Sequence, residues 1–291
     1  MKISIIVATH NRPLSLARLL RSLGPQLVAD QHELFVADNG TPAPTRIGVP
    51  GIELVHLHDA APGKCRTQNR AISLSTGEVV VFLDDDVVAT PDYLHAVECF
   101  FSQYPRFSAM AGRILPAEDP RTMVGVAAPY LDLPIMDHGE KVRAIRGVVG
   151  ANMAFRASSF RAVGLFDERL GPGAAGHEEE TELSQRLRSA GMQIGYAPRA
   201  LVFHEVDPDR AMRKRFIRVA RERGYCRTLH EHHSQTEVAI KIVIAAMRLV
   251  LTRALKAPVG RIAREERRLA VAQGMRDGLR NRIGTNVNVE K

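Results

Sequence analysis

Apolar positions in this chain alternate between two patterns: short unbroken runs, and residues recurring every three or four positions. Ile3-Ser-Ile-Ile-Val-Ala8 is a run of the first kind and reads as a buried strand. Pro13 then opens a helical pattern, with Leu16, Leu19, Leu20 and Leu23 on one face and Gly24-Pro25 as the stop. Strands are expected at 33–37, ended by Asp38-Asn39-Gly40, and at 52–57. A helix from Arg66 to Ser75 follows, then a fourth strand over 78–83 that runs into Asp84-Asp85-Asp86, then a helix from Pro91 to about Tyr104. Strands alternating with helices predict a mostly parallel sheet with helices on both faces. Ligands of such sheets sit beyond the carboxyl ends of the strands, so Asp38 and Asp84–Asp86 are expected to share one crevice.

The middle of the chain, 109–149, is punctuated by Pro and Gly, and a mobile loop is expected around Asp132 to Glu140. A strand over Val148–Arg156 and a short helix over Ser158–Val163 come next. The Gly171–Gly176 stretch leads into a helix from about His177 to Ala190, and a last strand falls in two parts, Gln193–Tyr196 and Leu201–His204.

Two acidic clusters carry candidate chemistry. Three consecutive aspartates after a buried strand disfavour joint ionisation. A divalent cation removes that conflict, and carboxylates are hard ligands for Mg²⁺ or Mn²⁺, which complete their shell with phosphate oxygens. The plainer alternative is an acidic turn capping the next helix. Glu178-Glu179-Glu180-Thr181-Glu182 opens a later helix, where acidic residues suit the helix dipole. With Leu183, Leu187 and Ala190 buried, Glu179 and Glu180 flank that face, Glu178 lies opposite, and Glu182 can pair with Arg186. Glu179 or Glu180 could therefore look into a cleft and act as a base. His204 ends an apolar strand, as a polar cap or a metal ligand. His230, His232 and His233 read as solvated.

Charge divides the chain. Residues 210–291 hold 20 Lys and Arg against 7 Asp and Glu, a net of +13, while residues 1–209 carry a net of −5. Two domains are expected on that basis: a body over 1–209 and a basic helical region over 210–291. Residues 210–256 read as helices suited to an anionic membrane surface, with packing on the body or a homodimer as alternatives. No apolar run is long enough to span a bilayer, and Lys241 and Arg248 interrupt the best candidate, Val238 to Leu251. Cys65, Cys99 and Cys226 are widely spaced, with no Cys-x-x-Cys pair, and read as a reducing cytosol. No secretory signal is legible, so the expected location is cytoplasmic, peripheral on the membrane's cytoplasmic face. The tail lacks interleaved aromatics and shows no helix-turn-helix or zinc motif, which argues against nucleic acid.

Several motifs, in order, resemble family 2 glycosyltransferases of the GT-A fold. They are Ser4–Arg12, Val36–Gly40, Gln68–Ile72 with Ser75–Gly77, Phe82–Val87, Gly150–Arg156, Gly164–Glu168, Glu178–Leu183 and Val202–His204. The fold implied is α/β: a GT-A, Rossmann-like, mostly parallel sheet flanked by helices, with a basic helical C-terminal extension. The resemblance implies an inverting, metal-dependent transfer of a sugar from a nucleoside-diphosphate sugar to a hydroxyl of a glycan, lipid-linked or cell-envelope acceptor. It places Thr9, Arg12 and Asp38 at the nucleobase end and extends the donor-binding set to Arg66, Asn69, Asp84, Asp85 and Asn152. Asp86 and His204 would hold the divalent cation, Mn²⁺ or Mg²⁺. Glu180 stands where the family has the aspartate of its base motif, with Glu179 beside it. The sequence departs from the family at Gln68-Asn69, where an Arg-Asn pair is usual and Arg66 lies nearby. The rival readings are a nucleotidyltransferase, for which no glycine-rich loop follows the first strand, and a nucleic-acid-binding protein.

Overall fold

The computed structural model of the protein describes residues 1–40 and 54–287, with side chains up to 281. The first elements follow the apolar pattern: β1 (Ile3–Thr9), α1 (Pro13–Leu23), β2 (His32–Asp38), β3 (Leu54–His58), α2 (Lys64–Leu74) and β4 (Val79–Asp84). The first two residues expected of the third strand lie outside the described residues. Next come β5 (Val87–Ala89), α3 (Tyr93–Gln103), β6 (Phe107–Pro116), α4 (Pro120–Val124), β7 (Arg143–Ile145), β8 (Asn152–Arg156) and α5 (Ala157–Val163). The chain continues through α6 (Glu179–Ser189), β9 (Gln193–His204), α7 (Arg213–His230), α8 (Gln235–Ala254) and α9 (Val259–Val287).

Among the described residues the strands form one sheet in the order β3-β2-β1-β4-β8-β6-β9-β5, with β7 also on β9. β1 to β4 are parallel, whereas β8 runs antiparallel to both β4 and β6. The period-2 alternation of each strand splits its side chains between two cores. Ile3, Ile5 and Val7 join α1 and α3 on one face, where Leu19 and Phe101 are buried. Ile6, Val80 and Phe82 join α2, α5 and α6 on the other. Phe82 centres an aromatic cluster there, with Phe155, Phe160 and Phe166 at ring distances of 5.8, 6.1 and 5.3 Å.

The structure corrects four expectations. The irregular middle contains β6, a ten-residue strand. The two-part last strand is continuous, and its interruption is a bulge: Ala197 pairs Gly112 and Leu201 pairs Arg113, leaving Pro198, Arg199 and Ala200 unmatched. Proline has no N–H to give the ladder, which suits it to such a place. The loop expected to be mobile is anchored over its second part. Met136 exchanges backbone hydrogen bonds with Ile114, and Asp137 pairs Arg113 at 3.0 Å. The helix expected from His177 starts at Glu179.

The chain divides into two compact units. One comprises Met1–Ala117, Pro134–Ala174 and Glu179–Glu205, and holds the whole sheet. The other comprises Glu118–Leu133, Ala175–Glu178 and Val206–Lys291. Within this helical unit Tyr130 packs edge-on against Phe216, Arg213 pairs Glu266 at 2.7 Å, and Val219, Cys226, Leu249 and Met275 are buried. His233, read as solvated, is half-buried between Glu231 and Glu237, at 2.9 and 3.5 Å. Among the described residues no helix is long and apolar enough to cross a membrane.

Candidate functional site

The parallel register aligns the ends of three strands: Thr9 of β1 pairs Asp38 of β2, and Ala8 pairs Asp84 of β4. The acidic residues at the strand ends therefore share one edge of the sheet, beyond its carboxyl ends. Asn11, with φ 55°, turns the chain between Thr9 and Pro13, where α1 begins. Asparagine tolerates that left-handed conformation better than most residues. The turn lets Arg12 reach back across the strand ends. Its Nη1 donates to Asp85 Oδ1 at 3.2 Å and to Asp86 Oδ2 at 2.8 Å, and Thr9 Oγ1 donates to Asp85 Oδ2 at 2.6 Å. Asp85 and Asp86 are buried. Burial raises the Asp85 pKa; the Thr9 hydrogen bond and Arg12 oppose this, and Asp86 and Asp84 add to it.

Lys64 is the residue that sequence reasoning missed. It opens α2, and its Nζ donates to Asp84 Oδ1 at 2.7 Å and lies 3.6 Å from Glu179 Oε1. Burial works against the ammonium, but Asp84, Glu179 and Glu180 raise its pKa well above the ordinary lysine value. One half-buried cation thus joins the aspartate bend to the start of α6. A backbone contact sets its position: Lys64 N donates to Pro172 O at 2.9 Å. Gly173 makes this fit, since a Cβ there would lie 2.4 Å from Gly63 N. A lone lysine after Gly63 carries no sequence signal for this role.

Of the glutamates, Glu179 is buried beside Lys64, while Glu180 is partly exposed one residue on. Glu182 pairs Arg186 at 2.6 Å, as the helical spacing predicts. Glu178 departs from expectation. Its φ of 76° puts it outside the helix, so the helical wheel does not apply, and it is buried in the helical unit 3.4 Å from Arg227.

His204 ends β9 opposite Val87, immediately after the aspartates. Its Nδ1 faces the Glu205 carbonyl at 2.8 Å. A carbonyl only accepts, so Nδ1 is assigned the hydrogen, which leaves Nε2, 3.2 Å from Asp86 Oδ1, as the ring atom that would ligate a metal. Two acceptors about 3 Å apart match neighbouring positions of an octahedral cation with ligands at about 2.1 Å. The donor pair fits a divalent cation whose remaining positions fall to phosphate oxygens and water. Among the described residues no group of three or more His, Cys, Asp or Glu side chains surrounds one such point.

The other candidates are placed differently. Asp38 accepts from Gly40 N at 2.7 Å and contacts His56 Nε2 at 3.0 Å. Arg66 turns to the loop after β3, donating to Asp59 Oδ2 and to Ala61 O, both at 2.7 Å. Asn69 spends its amide on Phe166 and Glu168, tying α2 to that loop. Asn152 corrects its assignment to the donor site. It is fully buried, accepting from Tyr93 OH at 2.7 Å and donating to Arg113 O and Ala200 O at 3.1 and 2.9 Å, so it braces β6, β8 and β9.

The family model for glycosyl transferase family 2 matches residues 4–164. The pre-mycofactocin glycosyltransferase of Mycobacterium tuberculosis is 28% identical over 216 residues, covering 70% of this chain and 42% of the relative. The chain thus spans about two fifths of that relative's length. The glucosyl-dolichyl phosphate glucuronosyltransferase of Haloferax volcanii is 24% identical over 71% of this chain and 70% of its own. A mannosyltransferase from Pyrobaculum calidifontis, solved with GDP-Man and Mn²⁺, shares the fold with a TM-score of 0.65 at 17% identity, covering 96% of this chain and 87% of its own.

Proposed function

The chain belongs to glycosyl transferase family 2, and from that premise we propose that it moves a sugar from a nucleoside-diphosphate sugar to an acceptor hydroxyl, with inversion at the anomeric carbon. The observation that carries this reading is Lys64, whose contacts with Asp84 and Glu179 draw the strand-end aspartates and the α6 glutamates into one site. GDP-Man and Mn²⁺ in the Pyrobaculum mannosyltransferase support the donor class and the cation. Asp86 and His204 would hold that cation, which would offset the charge gathering on the departing diphosphate.

The chain's own groups do the rest. Thr9, Arg12 and Asp38 line the strand ends where the nucleoside would lie, and Arg12 donates to both Asp85 and Asp86. Glu179, held by Lys64 and buried, is the positioning partner. Glu180, partly exposed one residue on, is the group that removes the proton from the acceptor hydroxyl as the oxygen attacks the anomeric carbon. A single base and direct attack give inversion. The glucosyl-dolichyl phosphate in the name of the Haloferax relative supports a lipid-linked acceptor. In the same reading the helical region meets an anionic membrane surface.

Nucleoside diphosphate release over a panel of UDP-, GDP-, dTDP- and CDP-sugars with Mn²⁺ tests this. One donor should be consumed, Glu180→Gln should lower turnover by about a hundredfold or more, and nuclear magnetic resonance should show the product anomer inverted. Wild-type turnover in Glu180→Gln would remove that residue as base, and release of pyrophosphate instead of nucleoside diphosphate would overturn the reaction class.

A further inference from the structure

The helical unit contains a cavity that the transfer reaction leaves unused. It measures about 530 Å³ and is walled by α7, α8 and α9. Arg227, Lys241, Arg248, Arg264, Arg267 and Arg268 line it, against Glu231 as the carboxylate in its wall. Three of these cations are already engaged: Lys241 with Glu237 at 2.6 Å, Arg268 with Glu265 at 2.6 Å, and Arg227 with Glu178 at 3.4 Å. Arg248, Arg264 and Arg267 have no carboxylate within ion-pair distance among the described residues. Desolvation lowers the Arg267 pKa, Arg223 and Arg227 push the same way, and Asp132 and Glu178 offset this only in part. Guanidinium groups gathered with carboxylates too few to pair each of them suit an anion with several oxygens, which the planar fork binds in pairs.

Beside the cavity, α8 and its C-terminal cap Leu255 leave an apolar stripe uncovered. Ile240, Val243, Met247, Val250, Leu251 and Leu255 are 53 to 69% exposed. At 3.6 residues per turn they fall within one arc of roughly 140°. Val238, Ala245, Leu249 and Thr252 occupy the opposite, buried side. Lys241 and Arg248 stand on the border between the two, and Ile244 belongs to both stripe and cavity wall. A contiguous patch of this kind marks an interaction surface, whereas scattered apolar residues do not.

We infer that cavity and stripe form one docking site for an anionic phospholipid of a membrane surface, the lipid phosphate seated among Arg248, Arg264 and Arg267 and the apolar stripe of α8 set into the acyl region. The inference rests on the reading of the helical region as membrane-facing, and gives it a location. Charge decides the occupant. A second copy of this chain docked on the stripe would set two basic borders against each other, whereas an anionic bilayer neutralises them. The geometry describes a helix lying in the interface plane, as an amphipathic helix flanked by basic residues does.

The test is co-sedimentation of the full chain with vesicles of phosphatidylglycerol in phosphatidylcholine, against phosphatidylcholine alone, at low and high salt. Binding should require phosphatidylglycerol and weaken with salt. It should fall at least tenfold in Arg248→Glu/Arg267→Glu and, separately, in Met247→Ser/Val250→Ser/Leu251→Ser. Circular dichroism and nucleoside diphosphate release in solution should match wild type in both, and Arg248→Gln/Arg267→Gln should show an intermediate loss. Undiminished binding by the arginine variants overturns the site alone. Failure of wild type to bind anionic vesicles overturns site and membrane reading together. Stabilisation by inorganic phosphate without vesicle binding would replace the lipid by a soluble anion, and a concentration-dependent dimer lost in the stripe variant would replace it by a second copy. Absence of donor turnover in wild type, with lipid binding intact, would overturn the proposed reaction and leave this site standing.

Discussion

Lys64 places a positive charge between Asp84 and Glu179, two carboxylates that would otherwise share a poorly hydrated space. Lys64 and Asp84 are half-buried and Glu179 is buried, so removing the cation leaves Glu179 uncompensated at a cost near the low end for a buried pair, about 3 kcal/mol. Lys64→Met should therefore destabilise the protein by about that much and lower turnover, because Glu179 no longer fixes the start of α6. Lys64→Arg, which keeps the charge, should recover most of the stability. Urea unfolding and donor turnover measured on both variants check this; a Lys64→Met protein of wild-type stability would show the contact to be incidental. The residue scale is also where sequence reading reached its limit. The aspartates were legible because three consecutive carboxylates after a buried strand demand a counter-charge. Lys64 was not, because one lysine at a helix start is ordinary until folding brings Asp84 and Glu179 to it. Asn152 misled for the converse reason: a motif position shows a polar residue without showing that Tyr93, Arg113 and Ala200 already occupy its hydrogen bonds.

At the scale of elements, close approach of backbones sets the helical unit. α7 and α9 cross at paired glycines: a Cβ on Gly224 would lie 2.0 Å from Val271 O, and one on Gly274 would lie 1.9 Å from Arg221 O. The obstacle is backbone in both cases, so relief requires the helices to separate. Gly274→Ala should cost about 3 kcal/mol or more, at the upper end of overpacking, despite alanine's better helix propensity. Gly260→Ala is the control, since its nearest neighbour outside the helix would be a Pro129 side-chain atom 3.9 Å away. Equal unfolding midpoints for the two variants would show that the crossing is not tight. Periodicity predicted the early elements because each has one apolar face and a clear stop, as with Leu16, Leu19, Leu20 and Leu23 before Gly24. It lost β6 and split β9 because Gly112, Pro116 and Pro198 look like breakers, whereas here a bulge absorbs Pro198 and the close packing of Asn152 selects Gly112. The antiparallel setting of β8 is a matter of which strand lies beside β4 and β6, and that pairing is long-range.

At the scale of the molecule, the two large cores both lie in the sheet unit, one on each face. The helical unit has its own buried set, built around Phe216, Val219, Leu249 and Met275. Separate cores predict separate cooperative units rather than one two-state transition. The candidate site, from Thr9 to His204, is built entirely from the sheet unit. A nucleoside diphosphate that binds only the folded site stabilises it by about 2.7 kcal/mol at a hundred times its Kd. Hydrogen exchange resolved by peptide under mild denaturant separates the outcomes. With the matching nucleoside diphosphate and Mn²⁺, peptides from β1, β2, β4 and β9 should gain protection, while peptides from the α8 stripe should not. Gly274→Ala should do the reverse, weakening protection across α7 and α9 and leaving the strands near wild type. Loss of protection in both units together, or equal stabilisation of both by nucleotide, would mean that the chain folds as a single cooperative unit, and the separate-core argument would fail.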